Sequence, residues 1–377
     1  MKIVYCLNSI QELGGIASIT IAKANALAER MIEVFILVTD HNLGIKTNLS
    51  DKVKLINLEI RYYDDDWKSK LHVLKGILIK RRKHKRVLKK VLKKINPDIV
   101  ISVGQSEKYF LPEIKGNWKT IREFHYDKYY RIRSAKNRKE LCLAKLINFY
   151  DYNFKIKKYD KIVLLTEADK LNWKYNNKIK VIPNFTDLNP KKEISDLTSN
   201  KIIAVGRLEK QKNFISLIQS ASRFIKDFKE WKIEIYGEGS QRNYLQKLID
   251  DLKLNDQVIL KGKCNNMKDV YKNASILVLT SLFEGFPMTL LEPISFGIPI
   301  ISYDCPTGPS EIINKNSCGY LIALNDEILL STKIIELIKN EDKRKKLGRN
   351  AFIRSKYFSK NKIIDQWISL FNKLVLL

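Results

Sequence analysis

Short β-branched apolar runs alternate with longer stretches of helical periodicity from one end of the chain to the other. Runs at 2–7, 33–39, 98–103, 118–124, 161–165 and 179–182, then at 201–206, 231–237, 257–261, 275–280, 298–303 and 319–323, predict strands. Those such as I-L-V-L-T (276–280) show no alternation of polar and apolar positions, which is the pattern of strands buried on both faces of a parallel sheet. Helical periodicity over 16–30, 213–228, 240–254 and 327–339 separates them. Repeated βα units imply right-handed crossovers and an α/β, doubly wound architecture.

The pattern comes in two sets. The stretch V-I-P-N-F-T-D-L-N-P-K-K-E-I-S-D-L-T-S-N (181–200) holds two prolines and many turn formers, and K-I-I-A-V-G (201–206) restarts the βα series after it. A chain of 377 residues suits two domains. The division expected is 1–187 and 188–358, with a last segment, 359–377, of its own. In open parallel sheets ligands bind beyond the carboxyl ends of the strands, so functional residues are expected just after them.

Charge changes the picture of partners. Lys and Arg number 69 against 41 Asp and Glu, a net of +28, and the excess is uneven: 39 basic and 20 acidic residues in 1–190 against 30 and 21 in 191–377. The first half therefore faces an anionic partner, whether nucleic acid, anionic lipid or a phosphorylated substrate. Five scattered cysteines without a C-x-x-C pair carry no disulfide framework or zinc cluster, which fits a reduced cytoplasmic setting. The amino terminus has too short an apolar stretch for a signal peptide, and nothing approaches the roughly 18 consecutive apolar residues of a spanning helix. The expectation is a soluble protein, or one resting on a membrane surface.

Segment 67–95 bears 13 Lys and Arg and no acid. Leu71, Leu74, Leu78, Leu88, Val91, Leu92 and Ile95 fall near one face at helical spacing, with Arg81, His84 and Lys85 interrupting it, so two helices or one with a break are expected. A basic amphipathic helix can lie on anionic lipid; a core-packed helix with a solvated basic side gives the same pattern.

Three post-strand loops carry candidate chemistry. After the first strand, Gly14 and Gly15 open a helix; they suit either a tight turn or a backbone approach to an anion at a positive helix end. After 201–206 come Arg207, Lys210 and Lys212 in G-R-L-E-K-Q-K-N-F, cations that suit a diphosphate or a solvated surface. After 276–280 comes S-L-F-E-G-F-P-M-T-L-L-E-P-I-S-F-G-I-P (281–299), with Glu284 and Glu292 eight apart and Pro293 inside the expected helix. Glu284 sits in an apolar stretch, where an unpaired charge is costly. Asp64, Asp65 and Asp66 contain a D-x-D pattern, but they follow two tyrosines in an exposed loop rather than a buried strand, and no metal site is expected there. Thr166 in T-x-x-D is taken as a helix cap.

The E-x7-E element (284–292), G-R-L-x-x-x-K (206–212), the Gly14-Gly15 loop and P-T-G-P-S-E-I-I (306–313) together resemble the retaining glycosyltransferases of family 4, of bacterial surface-polysaccharide type, with GT-B fold. The resemblance runs over nearly the whole chain and is tightest in 201–323. It implies two facing Rossmann-like domains with parallel sheets. The N-terminal one would bind the acceptor and the C-terminal one the nucleotide-sugar, and a C-terminal crossover helix (359–377) would return to the first domain. Residue by residue, it implies Arg207 and Lys212 at the donor diphosphate, Glu292 on the ribose hydroxyls and Glu284 beside the transferred sugar. The N–H groups of Met288, Thr289 and Leu290 would meet sugar or phosphate, Gly15 the ligand, and His125 in E-F-H-Y-D the donor sugar. His125, Glu284, Arg207 and Lys212 are thus the expected catalytic set.

The activity so implied is transfer of a hexose or N-acetylhexosamine from a nucleotide-sugar, most commonly a UDP-sugar, to a glycan or lipid-linked acceptor, with retention and without a metal or other cofactor. The setting implied is the cytoplasmic face of a membrane, reached through 67–95. A polyanion- or nucleic-acid-binding protein using 67–95 leaves the E-x7-E and diphosphate elements without purpose and lacks an RNA-binding aromatic signature, so no nucleic acid is expected. A sugar-nucleotide epimerase on the same fold is the other alternative.

Overall fold

The computed structural model describes residues 1–10, 15–40, 48–62, 70–174, 176–186, 188, 194–314 and 317–376, with only the backbone of 70–75 and 176. The chain forms two compact units. One comprises Met1–Leu165, Asp169–Pro183 and Lys360–Leu377; the other comprises Thr166–Ala168 and Asn184–Ser359.

The first unit holds a seven-stranded sheet of β1 (Lys2–Leu7), β2 (Glu33–Val38), β3 (Val53–Asn57), β4 (Ile99–Ser102), β5 (Lys119–Glu123), β6 (Lys161–Leu164) and β7 (Ile179–Val181). All its pairings are parallel, in the order β3-β2-β1-β4-β5-β6-β7. Strand β3 was not anticipated. Its K-V-K-L-I-N pattern belongs to the sheet edge, where only Val53 of its residues is fully buried. The helices are α1 (Gly15–Glu29), α2 (Lys70–Ile95), the short α3 (Tyr130–Arg133), α4 (Arg138–Tyr150) and, from the carboxyl end of the chain, α13 (Lys360–Val375). Val4, Leu37, Val100, Ile162 and Leu164 of the sheet pack with Leu88, Leu92 and Ile95 of α2 into one core.

Helix α2 is a single helix, not two. The expected break at His84 is absent because the imidazole is buried as part of the apolar face, edge-on to Phe110 and within 3.2 Å of the Tyr62 hydroxyl. Burial holds His84 down to about 4, so it packs as a neutral group. Leu78, expected on the inner face, is exposed.

The second unit begins with α5 (Glu167–Lys170, of which 167–168 belong here) and holds a six-stranded sheet of β8 (Lys201–Val205), β9 (Lys232–Tyr236), β10 (Val258–Gly262), β11 (Ile276–Leu279), β12 (Ile300–Tyr303) and β13 (Gly319–Ile322). It too is all parallel, in the order β10-β9-β8-β11-β12-β13. The covering helices are α6 (Phe214–Ser222), α7 (Arg242–Asp251), α8 (Met267–Lys272), α9 (Met288–Ser295), α10 (Pro309–Ile313), α11 (Glu327–Lys339) and α12 (Glu341–Ser355). The helix expected over 213–228 stops at Ser222 and is followed by a 3-10 turn at Ile225–Asp227. Asp326 and Asn340 cap α11 and α12 by accepting the N–H groups of Leu329 and Lys343.

Two parallel α/β sheet units with a helical carboxyl end constitute the GT-B fold. Each sheet reverses its order at one place: between β1 and β4 in the first unit, and between β8 and β11 in the second. The crevices beyond the carboxyl ends of these strand pairs are where doubly wound sheets bind ligands.

Candidate active site

In the second unit the two loops singled out from sequence lie on either side of this reversal. Residues 206–212 leave β8 and residues 280–287 leave the adjacent β11. Hydrogen bonds stitch them together: Leu282 N–H donates to the Gln211 carbonyl (2.9 Å), Gln211 Nε2 to the Phe283 carbonyl (2.8 Å) and Thr280 Oγ1 to the Lys212 carbonyl (3.0 Å). Thr307, in the loop after β12, donates through Oγ1 to the Glu284 carbonyl (2.6 Å). Three loops thus fix the backbone at Glu284.

Lys212 Nζ donates to Glu284 Oε1 at 2.6 Å, and their side chains are only 12% and 9% exposed. The charge left costly by an apolar sequence context has its partner. An ammonium has three donors, so this contact leaves Lys212 two more for an anion. Arg207 and Lys210 on the same loop are exposed. Gly206 allows the Lys212 stem to lie across the end of β8: a Cβ there would meet Lys212 Cε at 3.0 Å. Gly237, at φ +143°, closes beneath, where a Cβ would fall 1.8 Å from the Gly206 carbonyl oxygen. Burial pushes the nearby Cys305 thiol up, and the Glu284 charge adds to it.

Glu284 precedes α9 rather than belonging to it, because the helix starts after Pro287. Helix α9 runs through Pro293 to Ser295. The Leu290 N–H donates to the Pro287 carbonyl (3.0 Å), so Met288 and Thr289 hold the helix-start positions that lack an intrahelical acceptor. The Thr289 hydroxyl is buried there without a hydrogen-bond partner among the described residues. Two turns on, Glu292 accepts the Tyr271 hydroxyl at Oε2 (2.8 Å), and burial raises its carboxyl above the ordinary range.

Gly15 and His125 belong to the first unit. Gly15 is exposed at the start of α1, and a Cβ there would meet nothing within 4 Å among the described residues, whose packing does not demand a glycine. Gly14 and the acidic triplet of Asp64, Asp65 and Asp66 lie outside the described residues. His125 follows β5 and is buried, with Nε2 3.1 Å from Glu123 Oε1. The same carboxylate holds Lys23 of α1, whose ammonium also sits 4.2 Å from the centre of the Trp367 ring of α13. Burial alone would raise Glu123; the Lys23 and His125 charges outweigh it and hold the carboxyl down to about 2. Burial lowers Lys23, against the pull of Glu123.

Sequence reasoning missed Lys23, Glu123, Gln211, Tyr271 and Thr307. Two had a legible signal. Glu123 stands two residues before His125 at the end of a strand, a spacing that puts both on one face. Lys23 is the one cation inside the otherwise apolar I-A-S-I-T-I-A-K-A-N-A-L-A (16–28). The others act through backbone or cross-element contacts that no local pattern announces.

The fold is the GT-B fold, and the known proteins that this chain resembles include glycosyltransferases. Residues 185–354 match the family model for glycosyl transferases group 1. An uncharacterized glycosyltransferase of Haemophilus influenzae is 25% identical over 97% of this chain and 98% of its own length. An exopolysaccharide phosphotransferase of Streptomyces coelicolor is 34% identical over 57% of this chain, which spans 24% of that larger protein. A crystal structure of Staphylococcus aureus TarM, in complex with fondaparinux, alpha-GlcNAc-glycerol and UDP, superposes with a TM-score of 0.76 over 98% of this chain and 99% of that one, at 18% identity.

Proposed function

We propose that the protein is a retaining, metal-independent glycosyltransferase. It moves a hexose or N-acetylhexosamine from a UDP-sugar to a glycan or lipid-linked acceptor in the synthesis of a bacterial surface polysaccharide, at the cytoplasmic face of the membrane. The observation that carries the reading is the Lys212–Glu284 pair at the strand reversal of the second unit, beside the start of α9 and on the same loop as the exposed Arg207. The region matching group 1 glycosyl transferases contains all of these residues. The UDP bound to the structurally similar TarM supports the nucleotide, and the name of the Streptomyces relative supports the polysaccharide setting.

In this reading the bond between the anomeric carbon and the donor diphosphate breaks, the sugar gains oxocarbenium character, and charge grows on the departing phosphate. Lys212, held in place by Glu284, gives its remaining donors to that phosphate, and Arg207 closes on it from the rim. Fixed cations aimed at developing charge lower the barrier without a metal. Glu292 accepts ribose hydroxyls, and the first-turn N–H groups of α9 with the Thr289 hydroxyl meet sugar or phosphate. His125, held by Glu123, is the first unit's candidate catalytic group. Attack on the face that the phosphate leaves, with the phosphate taking the acceptor proton, gives retention.

A donor-hydrolysis screen over nucleotide-sugars tests this: release of UDP from one or a few UDP-sugars, undiminished by EDTA, is expected. No turnover of any donor refutes enzyme status, and EDTA loss restored by Mn²⁺ refutes metal independence.

A further inference from the structure

Helix α4 is built inside out. It buries only Ala144 and Asn148, while Leu143, Leu146, Phe149 and Tyr150 stand 56%, 66%, 61% and 48% exposed. The turn that follows adds Phe154, 48% exposed, whose ring packs with those of Phe149 and Tyr150. Five large apolar side chains on less than four turns form a contiguous patch of the kind that soluble surfaces avoid unless something covers it.

The charges around it say what does. Arg138, Lys139, Lys145, Lys157 and Lys158 are exposed along the same segment. Its two acids are turned to other uses: Glu140 closes the helix cap at Asn137, and Asp151 is buried under Lys108 and Arg131. A second copy of the chain would set this basic rim against itself, and the cores of protein interfaces are poor in lysine. An apolar strip rimmed by cations fits the boundary between headgroups and acyl chains of an anionic bilayer, with aromatic rings at headgroup depth.

Helix α2, where sequence placed the membrane contact, offers less of this chemistry along its described side chains, with Leu78 and Ile79 as its exposed large apolar residues. Its Leu88, Leu92 and Ile95 are buried in the core, and past Leu78 and Ile79 its solvent face is Arg82, Lys83, Arg86, Lys89, Lys90, Lys93 and Lys94. That face attracts anionic lipid only through charge.

We propose that the exposed apolar face of α4 and its continuation to Phe154 inserts into an anionic membrane surface, with the basic face of α2 contributing salt-sensitive attraction. The proposal deepens the membrane setting given above but does not depend on the transfer chemistry.

The test is co-sedimentation of the full chain with vesicles of phosphatidylcholine, with and without phosphatidylglycerol, at low and high salt. Wild type is expected to bind the anionic vesicles. Leu146→Glu with Phe149→Glu should lower the partition coefficient at least about 10-fold at both salts, whereas Arg82→Gln, Lys83→Gln and Arg86→Gln together should lower it mainly at low salt. Phe149→Trp should show a blue-shifted emission on vesicles. Both substituted positions are exposed, so an unchanged circular dichroism spectrum and melting temperature are expected, and hydrolysis of a soluble donor should be unaffected. Vesicle binding that survives the glutamates, wild-type protein that ignores anionic vesicles, or a dimer in sedimentation velocity that the glutamates dissolve would each overturn the proposal.

Discussion

Replacing Glu123 by Gln keeps the volume of the side chain and removes the one carboxylate that, among the described residues, pairs with both Lys23 and His125 in their buried cluster. Two routes give the cost. The carboxyl is held from 4.5 down to about 2, which at about 1.36 kcal/mol per unit is about 3 kcal/mol of linked stability. Removing one partner of a buried pair, leaving the other uncompensated, costs about 3–5 kcal/mol. The agreement sets an expectation of about 3 kcal/mol at pH 7, and for a unit of about 200 residues a fall in melting temperature of about 6–12 °C. Because the folded carboxyl sits below its unfolded value, the wild-type advantage is full above about pH 4.5 and fades as pH drops toward 2. The deficit of the variant should also shrink at alkaline pH, where the buried Lys23, already lowered, sheds its proton. Scanning calorimetry across pH is the assay, with Lys23→Met plus Glu123→Gln expected to recover most of the loss, because no lone charge is then left inside. A fall below about 2 °C, or no recovery in the double variant, refutes the argument. In the donor assay, Glu123→Gln should lower kcat more than it raises KM, as a group that sets His125 rather than one that binds donor.

The proposed donor site predicts its own hierarchy: Arg207→Ala and Lys212→Ala should each lose about 10²–10³-fold in kcat, Arg207→Lys should rescue incompletely, and the exposed Lys210→Ala should be near silent, all read from kcat and KM with the preferred donor. Near-normal kcat in the first two would reduce the loop to surface. Gly237→Ala forces a Cβ to 1.8 Å from the Gly206 carbonyl at a φ of +143°, so it should destabilise the second unit by several kcal/mol in urea unfolding; a change under about 1 kcal/mol would contradict the packing described. His84, lowered from 6.5 to about 4, binds its proton in the unfolded chain first, so stability should fall as pH drops from about 6.5 toward 4. His84→Phe should flatten that slope, and an unaltered slope would place the proton elsewhere.

The strands were legible because a residue buried on both faces must be apolar at every position, as in β11. Edge strand β3 was not, since a strand with one open side tolerates Lys54. Helix α12 was missed for a related reason: its inward positions are Arg344, Leu347, Gly348 and Ala351, two of them too small and one too polar to stand out. Arg344 is affordable inside because its guanidinium meets the carbonyls of Leu197, Leu337 and Ile338. His84 misled in the opposite direction, a polar letter on what is physically an apolar position. The loops of the proposed donor site stood out because ligands of doubly wound parallel sheets bind beyond the carboxyl ends of the strands. The partners Lys23 and Tyr271 were not found, because they come from separate elements 100 and 21 residues away from the carboxylates they meet.

Buried ion pairs are a poor way to hold a protein together, since the cost of stripping water from both charges cancels most of their attraction. This chain nevertheless sets one beyond the strand reversal of the second unit, Lys212 with Glu284, and another where β5 ends in the first, Lys23 with Glu123 and His125. Apolar residues of equal size would serve stability as well or better at both places. What an apolar pair cannot supply is a cation or imidazole already desolvated, oriented and held, ready to meet charge that appears only as a bond breaks. In the proposed reaction the electrostatic work of ordering these groups is done during folding rather than during turnover. On that argument, replacing Lys212 and Glu284 together by Met and Gln should leave the melting temperature near that of wild type while abolishing donor turnover. A double variant that turns over donor normally would show that the pair has no catalytic role.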